Sequence, residues 1–302
     1  MPNLNKLQNP EQLNGLSVDF GGTKISAARV VRGQIADYLE SKTDGGAAID
    51  SQIAQIINLL DRLGITANDK IAVALAGRVT KQGVWQAVNS KTLSDIGNVP
   101  LKQILENKLS RPVNIQNDAT AAVVGEYILG AAKGYDRAAF ITISTGVGGG
   151  IILGGRPMIS ETGLAGHIGF TTSRSATEIC GSGRQKTVES VASGNAIAAI
   201  AQKNGHAVKD GKAVFEAHLA GEVWATKIIT SSAEVISELC ANLTSILGLD
   251  IITIGGSVGL AEGYLALVQQ AQKQEPEIFR PKLVKAELGR NAALLGILAD
   301  VY

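Results

Sequence analysis

Two short glycine-rich loops, each set between strand-like runs, constrain the fold of this chain more than any other feature. The first, Gly21-Gly22-Thr23-Lys24, joins a strand-like run over residues 16–20 to another over 25–31, and Arg32-Gly33 turns the chain into 34–40. The second, from Thr145 to Gly149, stands between runs over 138–144 and 151–153, and Gly154-Gly155 turns into 156–159. Each stretch reads as strand, glycine loop, strand, tight turn, strand. Recurrence of that order in corresponding places predicts two βββαβα-like halves related by an internal duplication. Two such lobes facing each other would put both loops on one cleft.

The remaining elements fit this α/β reading. Apolar residues at Ile53, Ile56, Ile57, Leu60 and Leu63, followed by Gly64, predict a helix over 49–63. Further helices are expected over 101–109, 119–133, 188–202, 222–247, 260–272 and 292–301, with strands over 70–76, 113–116 and 250–254. With no low-complexity linker, the boundary is placed near 116–119. This gives a small N-terminal lobe over 1–117 and a larger lobe over 118–290, with a final helix near 291–302 packing back on the first.

Composition narrows the function classes. Lys plus Arg is 28 and Asp plus Glu is 27, so the net charge is 28 − 27 = +1. That balance offers no attraction for nucleic acid or an anionic membrane. Apolar runs such as 71–76 are far below the ~18 residues that span a bilayer. Residues 1–15 are polar, so export is not expected, and Cys180 and Cys240 form no CxxC pair. A reducing cytoplasm is the expected compartment. Glycine, at 35 of 302 residues, exceeds the ordinary share of roughly 7% and calls for a site that uses it.

Glycine loops can present consecutive backbone N–H groups to an anion, which makes both loops candidate phosphate cradles. The first adds Asp19, Thr23 and Lys24, a set able to take hydrated Mg²⁺ and phosphate; the second adds Ser144 and Thr145 around Gly146 and Gly148. Each loop taken singly reads equally well as a glycine-rich hairpin turn. A third cluster, Gly255-Gly256-Ser257, follows a strand and precedes a helix. It suits either a nucleotide's base and ribose or simple tight packing. No GxxxxGK[ST] is present, Gly146 to Ile151 lacks the third glycine of GxGxxG, and Asp19-Phe20-Gly21 has no HRD loop before it.

Asn117-Asp118 stands where a strand gives way to a helix. Either residue could serve as an ordinary N-cap. Asp118 could equally be the base that takes a sugar hydroxyl's proton as that oxygen attacks a γ-phosphate, kept ionised by the helix N-terminus.

The ordered set Asp19-Phe20-Gly21-Gly22-Thr23-Lys24, Asn117-Asp118-Ala119, Ser144 to Gly150, Gly166-His167-Ile168-Gly169 and Glu189 to Gly194 resembles the ROK family of sugar kinases and repressors. Leu164 to Gly169 and Gly255 to Val268 are most similar to its bacterial N-acetylmannosamine kinases. The resemblance implies an actin-like, ribonuclease-H-like fold of two lobes, with sugar at the bottom of the cleft and Mg-ATP across it. It makes Asp118 the catalytic base and Gly77, Asn89, Asn117, Asp118, His167 and Glu189 the sugar contacts. Asp19, Gly21, Gly22, Thr23, Lys24, Thr145, Gly146, Gly148, Gly255 and Gly256 become the nucleotide contacts. The implied reaction is ATP-dependent 6-phosphorylation of N-acetylmannosamine in sialic acid catabolism, by a homodimer. The alternatives are a hexokinase acting on glucose or N-acetylglucosamine, and a sugar-binding regulator without catalysis. His167, where the family's glucokinases carry Glu, favours the first. A ROK repressor needs a helix-turn-helix, which the fifteen residues before Leu16 do not supply.

One departure stands out. The family usually carries a structural zinc held by one His and three Cys. Here those positions are Phe170, Cys180, Ser182 and Thr187, so no zinc is expected and apolar packing around Phe170 is expected in its place. His206, His218, Trp85 and Trp224 are read as surface or packing residues.

Overall fold

The structure is a computed structural model describing residues 9–44, 46–88 and 96–300. In order, β1 (Gly15–Phe20), β2 (Lys24–Val31), β3 (Gln34–Lys42), α1 (Ile49–Arg62), β4 (Ile71–Leu75), β5 (Arg78–Val79), β6 (Trp85–Gln86), α2 (Leu101–Leu109), β7 (Val113–Asn117) and α3 (Asp118–Ile128) make the first half. They are followed by β8 (Arg137–Ile143), β9 (Val147–Leu153), β10 (Arg156–Pro157), α4 (Glu189–Ala192), α5 (Gly194–Lys203), α6 (Gly211–Leu219) and α7 (Val223–Leu247). The chain closes with β11 (Ile251–Gly255), α8 (Gly256–Gly259), α9 (Tyr264–Gln272), β12 (Lys282–Lys285) and α10 (Ala292–Gly296).

The two main sheets share one topology. Their orders are β3-β2-β1-β4-β7 and β10-β9-β8-β11-β12. In each, the opening meander is antiparallel and the next two strands add in parallel. Parallel strands must be covered on both faces, and here they are. In β4, Ile71, Val73 and Leu75 pack toward α1 and α2, while Ala72 and Ala74 join the cluster around α10. The period-two alternation thus sorts large side chains to one face and alanines to the other. The alanine face lets α10 approach closely, and α3 in turn packs on β8 and β9. The layers therefore run α1/α2, first sheet, the α3/α10 pair, second sheet, and the α4–α7 and α9 group.

The α3/α10 crossing is tight because glycine sits on both sides. A Cβ on Gly125 would strike the Ala292 carbonyl, and one on Gly296 would strike the Ala121 carbonyl. Glu126, fully buried on α3, accepts N–H bonds from Ala131 (2.9 Å), Glu287 (3.1 Å) and Leu288 (2.8 Å). It thereby ties the end of α3 to the segment entering α10.

Several expected elements are shorter or broken. The helix predicted over 188–202 is two helices, because Ser193 leaves helical geometry (φ −71°, ψ 154°) and its Oγ caps α5 by accepting from Ala196 N–H. The helix predicted over 260–272 starts only at Tyr264, since Gly263 adopts φ +78°. Likewise α3 ends at Ile128 rather than 133, and α10 at Gly296 rather than 301. The β5–β6 hairpin, α6 and β12 carry too little periodicity to be seen beforehand.

Candidate active site

The carboxyl ends of β1, β7, β8 and β11 meet around a cavity of about 350 Å³ lined by Asp19, Lys24, Asp118, Phe140, Ser144, Ser257 and Arg290, among others. Crevices outside the carboxyl ends of parallel strands are where open α/β sheets bind ligands. Here two such sheets face one crevice.

Asp118 opens α3 directly after Asn117 closes β7. Asn117 is the N-cap, its Oδ1 accepting from Thr120 N–H at 3.0 Å. Its Nδ2 donates to the Gly77 carbonyl at 3.0 Å and to Asp118 Oδ1 at 2.9 Å. The same Oδ1 accepts the Ala119 N–H at 2.8 Å. Asn117, expected as a sugar contact, therefore uses its amide within the protein to cap the helix and hold the carboxylate.

The helix terminus does not dominate the charge of Asp118. Desolvation by the surrounding protein pushes its pKa up to about 6, against the lowering pull of the Ala119 N–H and the Asn117 amide. Asp19 is pushed up to about 7, chiefly by desolvation and then by repulsion from Asp118, with Lys24 opposing. Two half-buried carboxylates sharing one cavity are a donor set that a hydrated divalent cation would stabilise. The residues present therefore fit Mg²⁺ beside a nucleotide's phosphates.

Lys24, also at the cavity, pairs with Glu40 at 2.9 Å. Glu40 additionally accepts the Tyr38 hydroxyl at 2.6 Å. The Arg290 guanidinium lies 5.1 Å from the Tyr38 ring centroid. Sequence reasoning missed Arg290, since a lone arginine before the last helix carries no motif.

Glu189 and His167 are not among the residues that line this cavity. The buried Glu189 Oε2 accepts the Val147 N–H at 3.1 Å, and a Cβ on Gly146 would come within 2.6 Å of that oxygen. His167 is flanked by backbone groups of Ala165, Leu164 and Gly77, and burial holds its pKa below the usual histidine range. Its buried Nε2 has no hydrogen-bond partner among the described residues, a position open to a ligand hydroxyl. Asn89 lies outside the described residues.

The glycine loops differ from the phosphate-cradle expectation. None of Gly21, Gly22, Gly146 and Gly148 has positive φ. Gly148, Gly149 and Gly150 lie within β9, paired to Thr142, Ile141 and Phe140. Cβ atoms on Gly149 and Gly150 would strike Ile168 and the Ala119 carbonyl. These glycines serve close packing. In the third cluster the packing reading holds for Gly255, which makes room for the Phe140 ring, while Gly256, at φ +84°, lines the cavity with Ser257.

The sequence model of the ROK family matches residues 15–301. The chain belongs to the ROK family. This ROK protein is 38% identical over 282 residues to the N-acetylmannosamine kinase of Haemophilus influenzae, covering 93% of each chain. It is 38% identical over 285 residues to that of Citrobacter koseri, covering 94% of this chain and 97% of the other. Among solved structures, the ROK family glucokinase from Streptomyces griseus, in complex with glucose and AMPPNP, superposes with a TM-score of 0.82 at 28% identity. The alignment covers 94% of this chain and 97% of that one. The actin-like ROK fold expected from the sequence is the fold observed.

The positions at which the family resemblance leads one to look for zinc ligands carry a different donor set. Cys180 Sγ lies 2.9 Å from Ser182 Oγ, Thr187 is fully buried, and Phe170 stacks on His167 at 6.0 Å between centroids. One thiol and two hydroxyls do not make a tetrahedral zinc site. Among the described residues no group of three or more His, Cys, Asp or Glu is placed to hold a metal ion.

Proposed function

We propose that this ROK protein is an ATP-dependent sugar kinase that transfers a phosphoryl group to the 6-hydroxyl of N-acetylmannosamine, giving N-acetylmannosamine 6-phosphate and ADP. The observation that carries the reading is Asp118, held by Asn117 at a helix N-terminus and sharing one cavity with Asp19 and Lys24. Asp118 takes the proton of the attacking hydroxyl. A carboxylate with pKa about 6 is ionised at neutral pH yet closer to the hydroxyl's demand than an ordinary Asp. Lys24 and Arg290 face the phosphates, and Asp19, with Asp118 nearby, would hold Mg²⁺. The cation, when bound, supplies the neutralisation of phosphate charge that phosphoryl transfer requires. Glu189 and His167 Nε2, which has no partner among the described residues, face the sugar hydroxyls.

Two relatives at 38% identity support N-acetylmannosamine over glucose, as does His167 where glucokinases of the family carry Glu. The reading includes two lobes divided near residue 118, a homodimer, a cytoplasmic location, no nucleic-acid partner and no structural zinc. Among the described residues no helix is long and apolar enough to cross a membrane. The test is ADP release with N-acetylmannosamine, N-acetylglucosamine, mannose and glucose. Turnover is expected to be fastest on the first; stimulation by none of them would sink the kinase reading.

A further inference from the structure

The segment joining Phe170 to Glu189 carries Cys180, Ser182 and Thr187, which with Phe170 do not make a tetrahedral metal site, so protein contacts must hold it. It folds back on itself through bridges Thr172 to Thr187 and Ile179 to Gln185. Ser173 N–H donates to the Lys186 carbonyl at 3.0 Å, and Val188 N–H to the Thr171 carbonyl at 2.9 Å. A ladder this short is marginal unless something ties it to the body of the protein. Ala176 is buried in the core beneath the loop, and the polar tie is Glu238, near the middle of the long helix α7. Its Oε2 accepts the Ser173 hydroxyl at 2.8 Å and its Oε1 accepts Arg174 Nε–H at 2.9 Å. The Glu238 side chain is 16% exposed and that of Arg174 is 82% exposed, so the Ser173 hydrogen bond carries more of the tie than the ion pair. The other ion pair of this loop, Lys203 with Glu178, is 70% and 54% exposed and contributes little.

We propose that Glu238 is a positioning residue that clamps this loop to α7 so that both of its ends present sugar contacts. One end is Phe170, stacked on His167. The other is Thr187, whose carbonyl accepts the Ser190 hydroxyl at 2.7 Å in the turn that carries Glu189. Ser173, bonded to Glu238 by its side chain and to Lys186 by its backbone, passes the constraint to that end directly. The functional half of this inference rests on the sugar-kinase reading; the clamp itself does not.

The test combines hydrogen exchange with steady-state kinetics on Glu238→Ala, Glu238→Gln and Arg174→Ala. In Glu238→Ala the amides of residues 173–188 should exchange at least about ten-fold faster, because local opening no longer breaks the clamp. KM for N-acetylmannosamine should rise about five-fold or more, with KM for ATP within about two-fold of wild type. Glu238→Gln keeps an acceptor for Ser173 and loses the charge facing Arg174, so it and Arg174→Ala should fall between. A chelator should leave wild-type exchange unchanged. Unaltered loop exchange in Glu238→Ala, faster exchange with unaltered sugar KM, or loss of protection on chelation would each overturn the proposal. If wild type phosphorylates none of the sugars, the kinase reading falls while the exchange measurements still decide whether Glu238 holds the loop.

Discussion

Asn117 Nδ2 donates to Asp118 Oδ1 at 2.9 Å, so the residue that caps α3 also fixes the orientation of the carboxylate that opens it. Substituting Asp118 by Asn preserves the shape and removes the base. We expect at least about a hundred-fold loss of kcat with little change in either KM, measured by ADP release. Asn117→Ala should lower kcat less and also destabilise the fold by about 1 kcal/mol through loss of the cap.

The carboxylates set a pH dependence with a definite sign. Both folded pKa values, about 7 for Asp19 and about 6 for Asp118, lie above the ordinary 3.8, so folding takes up protons between roughly pH 4 and 7. Their contribution to stability is present at low pH and is lost as pH rises through that window. Without nucleotide or Mg²⁺, Asp19→Asn should therefore be more stable than wild type at pH 8, by about 1–3 kcal/mol, and no more stable near pH 4. Urea unfolding at both pH values checks this. Activity should move the opposite way, kcat/KM rising with pH through about 6 as Asp118 ionises.

Arg290 lines the cavity from the segment before α10 and rests over Tyr38 of β3. Its substitution by Ala should raise KM for ATP by about ten-fold through loss of one charge-assisted contact, leaving KM for the sugar unchanged. Equal increases in both would assign Arg290 to the scaffold instead.

The α3/α10 crossing leaves no room at Gly296, whose added methyl would meet the Ala121 carbonyl. Gly296→Ala should cost about 1–3 kcal/mol, read as a lowered urea midpoint. Because α3 begins at Asp118, kcat should fall with it.

Purified protein should contain no stoichiometric zinc by elemental analysis. Treatment with a chelator followed by excess Mg²⁺ should restore full activity, since Cys180, Ser182, Thr187 and Phe170 cannot complete a tetrahedral site.

What the sequence by itself determined is local. Strand alternation, a helix start at Asn117-Asp118, and the recurrence of strand, glycine loop and strand depend on neighbours a few residues apart, and they put Asp19 near a strand end, Lys24 in the loop after it and Asp118 at a strand-to-helix junction. The family motifs are of the same kind, since they are read along the chain. Only the tertiary structure decided which glycines face a ligand and which admit a neighbour's backbone. Gly149 and Gly150 look like loop residues in the sequence, yet they lie in β9 against Ile168 and Ala119, far away in the chain. Desolvation is equally non-local: the helix terminus at Asp118 argues for an ordinary acid, and burial among β1, β7 and β8 reverses that. Arg290 and Glu238 carry no motif because their partners, Tyr38 and Ser173, lie on other elements. Close approach, burial and ion pairing across the fold are properties of the packed layers, and no window of sequence contains them.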